Sequence, residues 1–535
     1  MKFIKYIATF VTLTLGLSAC TLNFEEINRN PNSILNGQIT TAYSCFEPII
    51  YGVGRSNQRF AYYYNNEIVQ MTAATGSNTR QEHMYNIASA FQTVWDDYAR
   101  YGYDCENMIK IAKGCDDAYL HGVGLILKAF CLGNLTSLYG DIPYTEAYQG
   151  DSNLAPAFDS QEDVFKYLIR DLDSASEILA RNPKPQKAGI DPVFNDSAAG
   201  WRKFANSLRL RYLCRMTGIS DSYWAEIQKM LDAPADYPVF ASNDDNAAVA
   251  YTADDPYKPY FLYNESKSEV TNSDVTMRRT TEQVVKMMAV LTPAGTTEFE
   301  DLRLPIWAVT NKNGNWFGTW SGCSEAQKKE VEKKSLTVPN AAVVKSVEHS
   351  SALMDYSEIL FIYAEGVLRG KLNVTGKTAK DLYEAAVTSN MEKWSPFSSY
   401  NKIPKPLNPQ RLADFFASAI GSWDAVAAGT SIYASEEELL LSQKWLSLYY
   451  VGFEQFNEWR RTEYPRIKIG DGTVYNDHEY PTRFSYPNYT VATNPVSVNS
   501  ALSRMGGGND MHTALDWSYK KNNNGTHRDP YTSAD

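Results

Sequence analysis

The stretch DAYLHGVGLILKAFCLGNLTSLYGDIPY, residues 117–144, decides the fold. Within it Leu120, Val123, Leu127, Phe130 and Leu138 recur at spacings that a helix places on one face. Tyr139-Gly140-Asp141-Ile142-Pro143 then stops the helix, because glycine and proline punctuate a helical pattern.

The same grammar repeats further along the chain. Ser160 with Asp163 forms a capping-box signature ahead of Phe165, Leu168, Leu172, Ala175 and Leu179, and Trp201 to Met216 supplies a partner helix. A second pair carries Leu353, Tyr356, Leu360, Tyr363 and Val367 on its first member. The chain turns over Gly370 to Gly376, and Thr378 with Asp381 caps a helix lined by Tyr383, Val387, Met391 and Trp394. Ser435 and Glu438 open another helix with Leu441, Trp445 and Leu448, and Phe453 to Arg461 follows Gly452. Helix pairs that recur without a clean period predict a mainly α chain, a tetratricopeptide-like scaffold with an irregular helical bundle as the alternative. The scaffold occupies about 34–219 and 350–464 of a single domain, 34–535. Between them, about 220–349 is a loop-rich insertion in which only Thr281–Leu291 reads as helix. The C-terminal region 465–535 is again loop-rich. Loops that long in a folded protein usually carry function, which makes the insertion the place for a ligand site.

The first twenty residues, MKFIKYIATFVTLTLGLSAC, set the destination. Lys2 and Lys5 precede an apolar run from Ile7 to Leu17 that is too short to span a bilayer and reads as a cleavable export signal, 1–19. Leu17-Ser18-Ala19-Cys20 resembles a bacterial lipobox, so Cys20 is the expected lipidation site and 20–33 a tether. Acyl chains gain about 0.8 kcal/mol per buried methylene, enough for several together to hold a soluble body on a membrane. No later stretch reads as a membrane span.

Composition excludes some functions. The formal charge is -11, and -13 once Lys2 and Lys5 leave with the signal, a surface that repels nucleic acid. Export permits disulfides, and Cys105 with Cys115 is the closest pair in sequence; Cys131 and Cys214 sit inside apolar helical patterns and read as buried thiols. None of the six histidines has metal-ligand spacing, and neither a GxSxG elbow nor a phosphate-cradling glycine loop is present. No catalytic set, metal or cofactor is expected, although a carboxylate pair reports itself only through its folded separation.

Four separated stretches resemble one family. Tyr139-Gly140-Asp141-Ile142-Pro143-Tyr144 followed by Glu146-Ala147 is similar to the YGDxPY-x-EA signature of SusD/RagB-like outer-membrane lipoproteins of Bacteroidetes. Gln443-Lys444-Trp445 through Glu458-Trp459-Arg460-Arg461-Thr462 resembles its late helix, with Phe456 where the pattern carries Trp. Pro481 to Pro487 with Asn494-Pro495, and Gly506 to Asp510, resemble its closing loop and glycine-rich terminus. The resemblance implies a cell-surface, lipid-anchored protein that captures an oligomeric nutrient and serves as a lid on a SusC-like TonB-dependent barrel. The cargo it implies is a glycan or, in RagB-like members, a peptide; a structural lid without its own ligand is a third reading. Arg460 and Arg461 read as scaffold or barrel-docking residues.

The residues themselves offer candidate contacts. Asn311 to Ser321, NKNGNWFGTWS, sets Trp316, Phe317 and Trp320 among small polar residues with no helical or strand period. An indole face stacks on a pyranose while asparagine amides meet its hydroxyls, but an indole in such a loop can equally plug the core. Tyr257, Tyr260 and Tyr263 form a second cluster that either flanks the same cleft or packs inertly. Asn78, Thr79 and Arg80 form a polar loop that is either a contact or solvated surface. Asn311, Asn313 and Asn315 lack the carboxylates of a calcium loop.

Overall fold

A computed structural model of the chain describes residues 41–74, 82–262 and 270–528. The signal, the tether, Cys20, Asn78, Thr79, Arg80 and Tyr263 lie outside the described residues.

The protein is mainly helical. Its scaffold helices are α1 (Tyr43–Phe60), α2 (Ala88–Gly114), α3 (Ala118–Tyr139), α4 (Gln161–Ala180), α5 (Ala198–Met216), α6 (Tyr356–Leu368), α7 (Ala379–Trp394), α8 (Glu436–Ser447) and α9 (Glu454–Thr462). Successive helices pack as neighbours, α2 on α3, α3 on α4, α4 on α5 and α6 on α7, and α8 closes on α6 and α7. The caps read from sequence are present. Ser160 accepts from the Asp163 amide, Thr378 and Asp381 form a reciprocal capping box, and Ser435 accepts from the Glu438 amide.

α3 departs from the one-sided helix expected of it. It is buried nearly all round, because Gly122 meets the Leu179 side chain and Gly133 meets the Tyr212 ring, so α4 and α5 approach its axis closely. A Cβ at position 133 would lie 1.9 Å from the Tyr212 hydroxyl oxygen. By length and composition α3 could cross a membrane, which the sequence reading overlooked, but the relevant window is 83% buried within the protein. It is a core helix.

The YGDIPY turn is a structural joint. Gly140 ends α3 at φ 93°, a backbone conformation that favours glycine. The Asp141 carboxylate, buried, accepts from the Gln161 amide that starts α4 (2.8 Å) and from Arg504 Nε (2.8 Å), and burial raises its pKa. The Tyr144 hydroxyl donates to Asp171 on α4. The closing loop is stitched to the same joint: Arg483 donates to the Tyr139 carbonyl (3.1 Å) and the Tyr486 hydroxyl to that of Asp141 (2.7 Å).

Charge is buried where α5, α6, α8 and α9 meet. Arg211 grips Glu358 with two bonds (2.7 and 2.6 Å), Arg215 pairs with Glu454, Arg461 binds Glu365 and Glu458, and Lys444 lies 3.0 Å from Glu458. Flanking charges hold the Glu365, Glu454 and Glu458 carboxyls below the usual range, whereas burial outweighs Arg211 and raises Glu358. Arg460 has carbonyls for partners, Ser137 at 2.7 Å and Thr482 at 3.0 Å, and its guanidinium lies against the Phe456 ring. Both arginines are buried, so the structure makes them scaffold and withdraws the barrel-docking alternative.

The insertion is less irregular than its composition suggests. Among the described residues it contributes to four two-stranded antiparallel sheets: Thr72–Ala74 with Arg278–Thr280, Ala247–Val249 with Ser351–Met354, Ala289–Leu291 with Thr297–Glu300, and Ala308–Val309 with Val338–Pro339. Strands of two to four residues are too short to display an alternating pattern. The helix expected over Thr281–Leu291 ends at Met288 and continues as one of them. All six described cysteines are free thiols, so Cys105 and Cys115 are not bridged, and Cys131 and Cys214 are buried as expected.

Candidate functional site

The segment after Gly314 is laid down as an extended strip between two neighbours. The Thr319 amide donates to the Thr280 carbonyl (2.9 Å), the Glu282 amide to that of Thr319 (2.8 Å), and the Thr337 amide to that of Phe317 (2.9 Å). Gly318 lets the strip lie flat, since a Cβ there would fall 2.3 Å from the Glu282 nitrogen. Trp316 and Thr319 point into the protein, and Phe317 and Trp320 point out.

This geometry separates the two tryptophans. Trp316 is 4% exposed, belongs to the core, and donates its indole N–H to Glu300 (2.9 Å), a carboxylate also bridged by Lys405. As a stacking platform Trp316 is therefore corrected: it plugs the insertion. Trp320 is 42% exposed and lines a cleft of about 1000 Å³. One wall is the strip from Thr319 to Cys323 with Gln327. A second is the helix Glu282–Met288 and the strand after it, and a third is the loop from Pro465 to Asp471, with Ile420, Ile432 and Tyr433 at the back.

On either side of Trp320, Thr319 and Ser321 border the cleft, but their hydroxyls are buried behind the wall with no hydrogen-bond partner among the described residues. The two walls are held together backbone to backbone: the Gly472 amide donates to the Gly322 carbonyl (2.7 Å), and a Cβ on Gly470 would lie 2.2 Å from the same oxygen. His83 Nδ1 accepts from the Gly322 amide (3.1 Å), and burial depresses its pKa. The cleft is thus preformed.

Phe317 is also 42% exposed but stands outside the cleft lining. Tyr257 and Tyr260 are elsewhere. Tyr257 packs against Tyr51 of α1 (4.9 Å between ring centroids), and Tyr260 is buried against Tyr63 with its amide donating to Gln58 (3.0 Å). Neither borders the cleft, so their supporting role is withdrawn: the loop packs against α1, which the Tyr260 amide reaches, while the Tyr257 amide donates to Asp254 within the loop. Asn311 spends its carbonyl oxygen on the amides of Asn313 and Asn315 (3.0 Å each), closing a turn instead of facing a ligand. Gln283, Lys286, Lys468 and Asp471 were missed because they come from two distant segments with no local pattern.

The family model described as "Starch-binding associating with outer membrane" matches residues 31–487. Solved structures share the fold. A SusD homologue from Parabacteroides distasonis aligns with a TM-score of 0.72 at 21% identity, covering 89% of this chain and 97% of that one. One from Bacteroides uniformis aligns at 0.68 and 19%, covering 90% and 99%. A chitin-binding SusD homologue from Flavobacterium johnsoniae aligns at 0.66 and 20%, covering 89% and 98%. No curated protein matches the chain. With a family model spanning most of its length and the helical architecture of SusD homologues, the chain belongs to the SusD-like family.

Proposed function

We propose that the protein captures an oligosaccharide in the cleft beside Trp320 and passes it to a SusC-like TonB-dependent barrel, while held on the outer membrane through lipid on Cys20. The observation that carries the reading is a half-exposed indole on the wall of a preformed cleft that also presents the polar side chains of Gln283, Gln327 and Asp471. A pyranose presents an apolar face to an indole and a ring of hydroxyls to such neighbours, so weak, reversible capture needs no more than this. The protein acts by binding and makes or breaks no bond. That the family is described as starch-binding, and that a structural neighbour is a chitin-binding protein, supports a glycan over a peptide as cargo.

Calorimetric titration with neutral oligosaccharides, acidic oligosaccharides and peptides tests this. Heat from a sugar that Trp320→Ala abolishes supports capture in the cleft. Heat from peptides alone makes this a peptide-binding member, and no heat from any of them leaves the lid role.

A further inference from the structure

Two lysines that flank the cleft stand without an acid. Lys334 Nζ lies 5.2 Å from the Phe317 ring centroid and 5.9 Å from that of Trp320, and no carboxylate lies within 4.0 Å of it among the described residues. Lys468, on the facing loop, is exposed at the cleft and is likewise unpaired among the described residues. Of the other charges lining the cleft, Glu282 and Lys286 neutralise each other at 2.9 Å, whereas Asp471 accepts from the neutral Gln327 amide (3.0 Å) and keeps its charge on the same loop as Lys468, so Lys334 is the cation that no cleft acid offsets.

Resting on the reading of the cleft as a glycan site, we infer that the bound oligosaccharide is acidic, carrying carboxylate or sulfate groups. A sugar stacked on Trp320 comes close to the Lys334 ammonium, since that ammonium lies 5.9 Å from the centre of the same indole. The two exposed rings share this one cation, which places a charge between consecutive stacking surfaces, where a substituent on a chain lying across both would fall. A neutral sugar offers it hydroxyls only, whereas a carboxylate or sulfate makes a charge-assisted bond about twice as strong. The net charge, -13 once the signal has left, does not oppose this, because at physiological salt fields are screened within about 8 Å and the ammonium nearest the indole decides.

The test titrates the full chain with oligogalacturonate, a sulfated oligosaccharide and neutral oligomers of starch and chitin of equal length, at low and high salt. The inference expects an acidic oligomer to bind about tenfold more tightly than the neutral ones, with an affinity that falls as salt rises. Lys334→Gln should cost the acidic ligand about tenfold and the neutral ones less than about twofold, with Lys468→Gln acting in the same sense more weakly. Both lysines are surface residues, and an unchanged melting temperature confirms that each variant folds. Preference for oligogalacturonate identifies the charge as carboxylate, preference for the sulfated chain as sulfate, and either supports the inference. Neutral oligomers binding as tightly as acidic ones, with Lys334→Gln silent, would overturn it while leaving glycan capture intact; no heat from any sugar overturns both.

Discussion

Glu365→Gln is the perturbation on which the buried charge cluster is most exposed to test. The substitution keeps the shape of the side chain and removes its charge. Glu365 is 1% exposed, accepts two bonds from Arg461 (2.7 and 2.5 Å), and lies 3.5 Å from Lys444 and 3.1 Å from Arg369. Arg369 reaches solvent and has Glu437 as a second partner, so it can relax. Arg461 and Lys444 cannot. Both are left to share Glu458, and one positive charge in the core has no counter-ion. Removing one member of a buried pair costs about 3–5 kcal/mol, because the remaining ion has lost both water and partner. Urea denaturation followed by circular dichroism at pH 7 should show the midpoint falling with an unchanged slope. Replacing Glu365 and Arg461 together by Leu and Met should cost much less, since a matched apolar pair buries no lone ion. A loss below about 1 kcal/mol for the single variant, or a double variant at least as damaged, would show that the buried charges do not depend on Glu365.

His349, buried among Phe261, Trp394, Phe397 and Tyr450, has its pKa pushed down to about 4, so the folded state holds it neutral. Its contribution is complete above about pH 6.5 and shrinks as pH falls toward 4, by up to about 3 kcal/mol, a slope that His349→Phe should flatten in denaturation curves taken across that window. Glu365, Glu454 and Glu458, held below the usual carboxylate range, add a second loss that begins only below about pH 4.5. Trp316→Ala should cost about 3–5 kcal/mol of stability as a core truncation, while Trp320→Ala should leave the melting temperature nearly unchanged and weaken ligand binding. Gly472→Ala drives a Cβ to 2.2 Å from the Cys323 carbonyl oxygen, so it should weaken sugar binding through the opposite wall without removing a contact residue. Thiol titration of the denatured, unreduced protein should find all six cysteines from Cys45 onward reactive.

The helical frame was legible because its signals are local. A capping Ser160 needs only Asp163 three residues on, and the α3 spacing needs only its own apolar residues. What sequence missed about α3 was its second face: burial on all sides follows from Gly122 and Gly133 meeting side chains of α4 and α5, contacts that no one segment records. The site was half legible for the same reason. The strip carrying Trp316 and Trp320 was found from its aromatic content, but which indole faces out depends on hydrogen bonds to Thr280, Glu282 and Thr337. The tyrosine loop carries an equally aromatic composition and packs on α1, so composition by itself cannot separate platform from plug. The Pro465–Asp471 wall reaches the cleft through the glycine seam at Gly322 and Gly472, a tertiary contact between segments about 150 residues apart.

A crystal structure of the protein with a bound oligosaccharide would show which surface takes the sugar. A sugar ring should stack on the outward face of Trp320, with its hydroxyls meeting Gln283, Gln327 or Asp471 and its chain running past Lys334. A ligand seated instead on the Tyr257 loop or on the outer surface of the helical scaffold, with the cleft empty, would contradict it.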